Sequence, residues 1–249
     1  MSYNTLLYKI ASILSPNFYK EISDLLSNKS TLTIFDVGFY NGEFTKNLVE
    51  NLQRNNYKNN IEIYSFDPNH KIDRSAFNSF AESRNLIWKH FNDALGDKVS
   101  SEKFTTLKNF PSSGSSVNNI LVNSLWLKTR RVIFSPFTKK DNITETYDVN
   151  QKTIDSLNLN LESLDILKID VEGYSYQVLL GAKNTIAMFK PVIQLEILSR
   201  KKDFIKSREE ILNLLNDLGY TLQNEKKHLT THVLSDVMCV DLLFLHKHG

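Results

Sequence analysis

Four apolar runs in this 249-residue chain end on a carboxylate. Thr31 to Val37 carries Asp36, Ile61 to Phe66 is followed by Asp67, residues 164–171 carry Asp170 with Glu172 just beyond, and Pro191 to Ile197 carries Glu196. Short apolar runs followed by stripes at helical spacing build strand–helix units, and such units assemble into a largely parallel sheet. A buried carboxylate is costly unless it is paired, hydrogen-bonded or wet. A strand tip opening on a crevice tolerates one, and in open α/β sheets that crevice is where ligands bind. The acids at 36, 67, 170 and 172 are therefore expected to converge on a single cleft.

The first unit is the most explicit. After the strand comes the turn Gly38-Phe39-Tyr40-Asn41-Gly42, and then Phe44, Leu48, Val49 and Leu52 at helical spacing. The glycines stand four apart, so the loop is not the G-x-G-x-x-G of dinucleotide sites. Asp36 would repel a pyrophosphate, but it suits a ligand carrying a cationic amino group beside a carboxylate, such as the methionine end of S-adenosylmethionine. Backbone N–H groups of the loop and helix start can hold that carboxylate. Asp36, Gly38, Asn41 and Gly42 are thus expected to bind cofactor, with a plain turn role for Asp36 as the alternative. Asp67-Pro68 at the second strand end lies about 25 residues past the loop, near the roughly 20 expected of an acid that grips ribose hydroxyls. A helix cap or Asx-turn is the other reading of Asp67. Leu86 to Phe91 is a third strand, and Asn92, Asp93 and Ala94 at its tip fall where an adenine edge would lie.

The run at 164–173 reads as the central strand. On a strand, side chains two apart share a face, so Asp170 and Glu172 are expected to project to the same side. A helix follows, with Val178, Leu179, Ala182 and Ile186 as its stripe and Gly181 permitting close packing on the sheet. Residues 204–218 form an amphipathic helix stopped by Gly219, and Val237 to Leu245 is a final strand paired with Tyr220-Thr221-Leu222. Residues 3–26 suit two short helices broken near Pro16, read as a cover over one sheet edge, with substrate gating or homodimer formation as alternatives. Residues 97–150 break the rhythm. Ser112 to Ser116 is a flexible-looking stretch, and Leu121 to Phe137 is β-prone with interleaved lysines and arginines. Such an insertion can carry substrate recognition or be a solvated edge hairpin. Two parts follow: a helical cover at 1–30, and a single domain at 31–249 with an insertion at about 97–150.

Composition removes several classes. The formal net charge of +2 argues neither for nucleic-acid binding nor for a polyacidic tail. Cys239 is the one cysteine, so neither an intramolecular disulfide nor a cysteine-built metal site is available. His228, His232, His246 and His248 share no metal-ligand spacing and read as surface residues. No run is long enough to span a membrane, and Lys9 interrupts the first apolar stretch, so the default location is cytoplasmic.

Taken together, Asp-Val-Gly-Phe-Tyr-Asn-Gly at 36–42, Ser-Phe-Asp-Pro at 65–68, Leu-Lys-Ile-Asp-Val-Glu-Gly-Tyr at 167–174, Val-Leu-Leu-Gly-Ala at 178–182 and Lys-Pro-Val-Ile-Gln-Leu-Glu at 190–196 resemble the FkbM family of methyltransferases. Thr153 to Leu157 is similar to the family's Thr-Leu-Asp segment. The resemblance spans about residues 31–197. It implies a class I, Rossmann-like α/β fold: a mostly parallel seven-stranded sheet, helices on both faces, and an antiparallel last strand. It also implies S-adenosylmethionine as cofactor and methylation of a hydroxyl on a sugar, glycan or natural product. Phe39 and Tyr40 depart from the small and polar residues usual after Gly38, which would narrow the cofactor pocket. Leu198 stands where many relatives carry a histidine. Asp170 or Glu172 is the candidate base. Glu172 and Glu196 are placed on the acceptor side, and a second version has Asp170 and Glu196 hold a divalent cation. The competing readings are a non-catalytic cofactor-binding or assembly protein and a nicotinamide-dependent oxidoreductase.

Overall fold

A computed structural model describes residues 18–107, 144–227 and 237–247. The expected first helix before Pro16, the serine-rich and basic stretches of the insertion, and His228, His232 and His248 lie outside them.

Seven strands form the main sheet: β1 (Thr31–Val37), β2 (Asn60–Phe66), β3 (Ile87–Phe91), β7 (Ile166–Ile169), β8 (Val192–Arg200), β9 (Tyr220–Lys227) and β10 (Val237–His246). Their order is β3-β2-β1-β7-β8-β10-β9. The β1–β2, β2–β3, β1–β7 and β7–β8 pairs are parallel, and β10 runs antiparallel to both β8 and β9. This is the expected fold, including the pairing of the last strand with the segment beginning at Tyr220. The order reverses between β1 and β7, so the crevice beyond their C-terminal ends is the switch point where ligands bind in such sheets.

Helices cover both faces because both faces are apolar. One face packs Phe35, Val37, Leu167, Ile169, Ile193 and Leu195 under α4 (Ser175–Leu180), α5 (Lys183–Phe189) and α6 (Lys201–Asp217). The other packs Leu32, Ile34, Ile61, Ile63 and Ile166 under α1 (Phe18–Leu26), α2 (Glu43–Arg54) and α3 (Ser75–Ser83). Each such fully buried aliphatic side chain contributes about 1.5–3 kcal/mol. Gly219, at φ 85°, ends α6 in the left-handed conformation that a glycine stop provides. No helix among the described residues is long and apolar enough to cross a membrane.

Two local expectations change. The helix after the central strand breaks at Gly181 into α4 and α5, and a Cβ on Gly181 would sit 1.9 Å from the Gly96 carbonyl oxygen. Gly181 therefore makes room for the chain after β3, not for the main sheet. The base of the insertion is a second, three-stranded sheet of order β4-β6-β5, built from β4 (Ala94–Leu95), β5 (Ser100–Leu107) and β6 (Thr144–Lys152). It leans on the loop after β2: the Tyr147 ring meets His70 edge-on at 4.8 Å, and Lys71 pairs with Glu145 at 2.5 Å.

Candidate functional site

The loop after β1 is fixed largely by its own chain. Gly38 has φ 79°, and a Cβ there would lie 1.7 Å from the Asp170 carbonyl oxygen, so only glycine lets the loop meet the end of β7. The Gly38 and Phe39 N–H groups both donate to the Phe66 carbonyl, at 2.9 and 3.2 Å. The Tyr40 N–H donates to Asp67 Oδ2 at 2.7 Å, the Gly42 N–H to the Phe39 carbonyl at 2.8 Å, and the Glu43 N–H to Asn41 Oδ1 at 3.2 Å. Most of the donors expected to hold a ligand carboxylate thus have acceptors within the chain. Phe39 does not narrow the crevice as its bulk suggested. It turns into the core, edge-on to Phe77 at 4.7 Å and stacked with Trp88 at 5.8 Å, and together with Phe77 it fills the space a Cβ on Gly42 would need.

Asp36 is fully buried. Its Oδ2 accepts from Thr45 Oγ1 at 2.6 Å, and its Oδ1 lies 2.9 Å from Lys168 Nζ. The carboxylate expected to meet an amino group is instead spent on a residue of β7 and a residue of α2. Asp67 is buried just past the end of β2, accepting from the Tyr40 and Asn69 N–H groups at 2.7 and 2.8 Å, with Arg74 Nη2 at 3.6 Å. Burial raises its proton affinity, against the pull of the Asn69 N–H and the Arg74 charge. A carboxylate offers about four acceptor positions, so two are left for a diol. This acceptor chemistry fits the ribose of an adenosyl cofactor. The Pro68 carbonyl accepts from the Tyr147 hydroxyl at 3.5 Å.

At the tip of β3, Asn92 Oδ1 lies 3.2 Å from His90 Nε2, Asp93 Oδ2 lies 2.9 Å from Lys152 Nζ, and Ala94 is buried in the small sheet. Asp93 therefore ties the third strand's tip to the insertion. His90 also meets Ser65 Oγ at 2.9 Å, and Ser65 Oγ accepts from Trp88 Nε1 at 2.8 Å. Burial, then the Arg74 charge, pushes the His90 imidazole down to about 4.

The carboxylates gather past the end of β7 and on β8; β8 runs on to Arg200, so Glu196 lies within that strand, opposite Asp241 of β10, and not at its tip as expected. β7 stops at Ile169, and Glu172 and Gly173 follow with φ 50° and 91°. Strand alternation therefore does not extend to Glu172, and it is the left-handed turn that directs its side chain. The Asp170 side chain is 41% exposed, with Lys168 Nζ 3.7 Å from its Oδ2. Glu196 Oε2 accepts from Cys239 Sγ–H at 2.8 Å. Burial, then the charges of Asp170, Glu172 and Asp241, hold the Glu196 carboxyl well above the usual carboxylate range. Burial likewise pushes the Cys239 thiol up, helped by Glu196. Asp170, Glu172, Glu196 and Asp241 thus share one electrostatic neighbourhood. Among the described residues, no group of three or more His, Cys, Asp or Glu side chains is arranged to hold a metal ion.

Sequence reasoning misses several participants, among them Lys168, His90, Ser65, Thr45 and Arg74. Lys168 carried a usable signal, being a lone cation inside an apolar strand two residues before an acid.

The model of the methyltransferase FkbM domain matches residues 36–222, from the acid of β1 into β9. The chain belongs to the FkbM methyltransferase family. No curated protein matches the sequence. Among solved structures, the methyltransferase FkbM from Methylobacillus flagellatus is similar with a TM-score of 0.50 at 15% identity, over 92% of this chain and 50% of that one. The chain thus spans half the length of that relative, and the likeness shows the fold. A precorrin-6y methyltransferase from Geobacter metallireducens aligns with a TM-score of 0.43 at 12% identity, over 94% of this chain and 89% of that one. TYW2 from M. jannaschii, solved in complex with AdoMet, gives 0.40 at 12% identity, over 95% and 80%.

Proposed function

We propose that this FkbM-family domain is an S-adenosylmethionine-dependent methyltransferase that acts on a hydroxyl oxygen of a sugar, a glycan or a natural product. The observation that carries the reading is the group of carboxylates Asp170, Glu172 and Glu196 at the switch point, beside the Gly38–Gly42 loop. S-adenosylmethionine, when bound, supplies an electrophilic methyl group on a sulfonium sulfur.

The chain's own residues do the rest. Asp67 accepts from a diol with the oxygen positions left over from Tyr40 and Asn69. Asn92, its Oδ1 engaged by His90, is a contact for the base. Alignment of the reactants is the larger part of such a transfer, and it needs a rigid loop. The acceptor hydroxyl gives its proton to a carboxylate oxygen of Asp170 or Glu172 as its own oxygen takes the methyl. Glu196, raised in proton affinity by burial and then by the charges of Asp170 and Glu172, accepts a hydrogen bond from Cys239 on the neighbouring strand.

Tritium transfer from methyl-labelled S-adenosylmethionine to a glycan extract tests the reading. Wild-type protein is expected to label the extract. Asp170→Asn/Glu172→Gln protein is expected to bind the cofactor but not to label. Full turnover by that double variant would remove the carboxylate base.

A further inference from the structure

Across the five parallel strands β3, β2, β1, β7 and β8 runs one cross-strand row that is polar throughout, and it ends where Gln194 meets the buried Leu243 of β10. His90 pairs in register with Ser65, Ser65 with Asp36, Asp36 with Lys168, and Lys168 with Gln194. The neighbouring positions on the same face are Ile34, Ile63 and Ile166, all fully buried. Lys168 is 5% exposed and Asp36 is not exposed at all, so their charges meet where an apolar pair would serve stability as well or better.

What the pair touches is informative. Asp36 holds Thr45 in the first turn of α2, just after the Gly38–Gly42 loop. Lys168 Nζ donates to the Gly38 carbonyl at 2.8 Å, at the start of the same loop. It also lies 5.8 Å from the centre of the Phe44 ring and 3.7 Å from Asp170 Oδ2. The two residues therefore grip the loop at both ends, and the lysine ties that loop to the tip bearing the candidate base.

We propose that Lys168 and Asp36 act as positioning residues, clamping the cofactor loop at Gly38 and Thr45 and setting its distance from Asp170. The inference rests on the cofactor assignment above. A left-handed glycine at φ 79° has many other conformations open to it, and loop N–H groups held to Phe66 and Asp67 keep their direction only while the Gly38 peptide is held on its carbonyl side. Both residues act through the loop and not on substrate.

Calorimetric titration with S-adenosylmethionine separates positioning from bulk stability. In Asp36→Asn/Lys168→Met the buried charges vanish together, so no uncompensated ion remains. The double variant is expected to melt cooperatively and to bind S-adenosylmethionine at least tenfold more weakly. Ile186→Val, in the opposite core, is expected to lower the melting temperature while keeping the dissociation constant within twofold. Thr45→Val, which releases only the α2 end of the loop, is expected to weaken binding severalfold, and this arm decides the matter if the double variant does not fold. Wild-type affinity in the double variant, or in Thr45→Val, overturns the clamp. Wild-type protein that binds no S-adenosylmethionine overturns the cofactor assignment itself, and the clamp with it.

Discussion

Replacing Gly38 by alanine probes the point where the cofactor loop meets the central strand. The residue has φ 79°, and holding an L-residue in the left-handed region costs about 1–2 kcal/mol. The new Cβ would lie 1.7 Å from the Asp170 carbonyl oxygen and 2.7 Å from its carbonyl carbon. Both are backbone atoms, so no rotamer change relieves the overlap, and the loop must separate from the end of β7. That separation breaks the bond from the Asp170 N–H to the Val37 carbonyl, now 2.9 Å, and stretches the contact from Lys168 to Gly38. A lost backbone bond and a lost charge-assisted bond add roughly 1 and 1.5–3 kcal/mol. The sum is about 3.5–6 kcal/mol, reaching the range reserved for severe lesions. Gly42→Ala is the internal comparison. Its φ is 77°, and its Cβ would meet the buried Phe77 and Phe39 rings at 2.3 and 2.5 Å, side chains that can repack where a backbone carbonyl cannot. It is expected to cost about 2–4 kcal/mol, from the backbone conformation and from displacing two core rings. Urea unfolding followed by circular dichroism reads both. Gly38→Ala costing less than Gly42→Ala would refute the claim that the loop and the strand tip are in backbone contact.

Three further outcomes follow from the charges and hydroxyls of the site. Glu196 in the folded protein holds its proton to a higher pH than the 4.5 of a free glutamate, so its contribution to stability is present below pH 4.5 and is lost as pH rises above it. Glu196→Gln is expected to match wild type near pH 4.5 and to melt higher at pH 7.5, and a gain of equal size at both would count against the burial argument. Thr45→Val leaves Asp36 Oδ2 without its hydroxyl donor in a fully buried place, an expected loss of about 1–3 kcal/mol by urea titration; a neutral result would mean that water replaces the hydroxyl. His90, lowered to about 4 from 6.5, adds stability that is lost as pH falls from 6.5 towards 4, and its ring resonances are expected not to titrate above pH 5 in NMR spectra. A midpoint near 6.5 would place the ring in open solvent.

The fold was legible because its strands are buried on both faces. Ile61 to Phe66 and Pro191 to Ile197 are apolar almost throughout, and such runs followed by the Leu48–Leu52 or Ile211–Leu215 stripes leave few architectures open. The site was legible at its tips and not in its wiring. Asp36, Asp67 and Asp170 stand at strand ends, but local sequence does not say that a strand's own acid will be met by a lysine from its neighbour. That pairing depends on the β1–β7 register, which aligns Asp36 with Lys168 across 132 residues of chain. The direction of Phe39 was hidden for a similar reason: Trp88 and Phe77, far away in sequence, supply the surface it packs on. The strand period does not reach Glu172, because β7 ends at Ile169 and the chain turns left-handed at Glu172 and Gly173.

The assignment as a methyltransferase stands most directly on cofactor choice. Titrating the full chain with S-adenosylmethionine and, separately, with NAD is expected to give saturable one-to-one binding of the first and no heat from the second. Saturable binding of NAD with none of S-adenosylmethionine would contradict the account at its root.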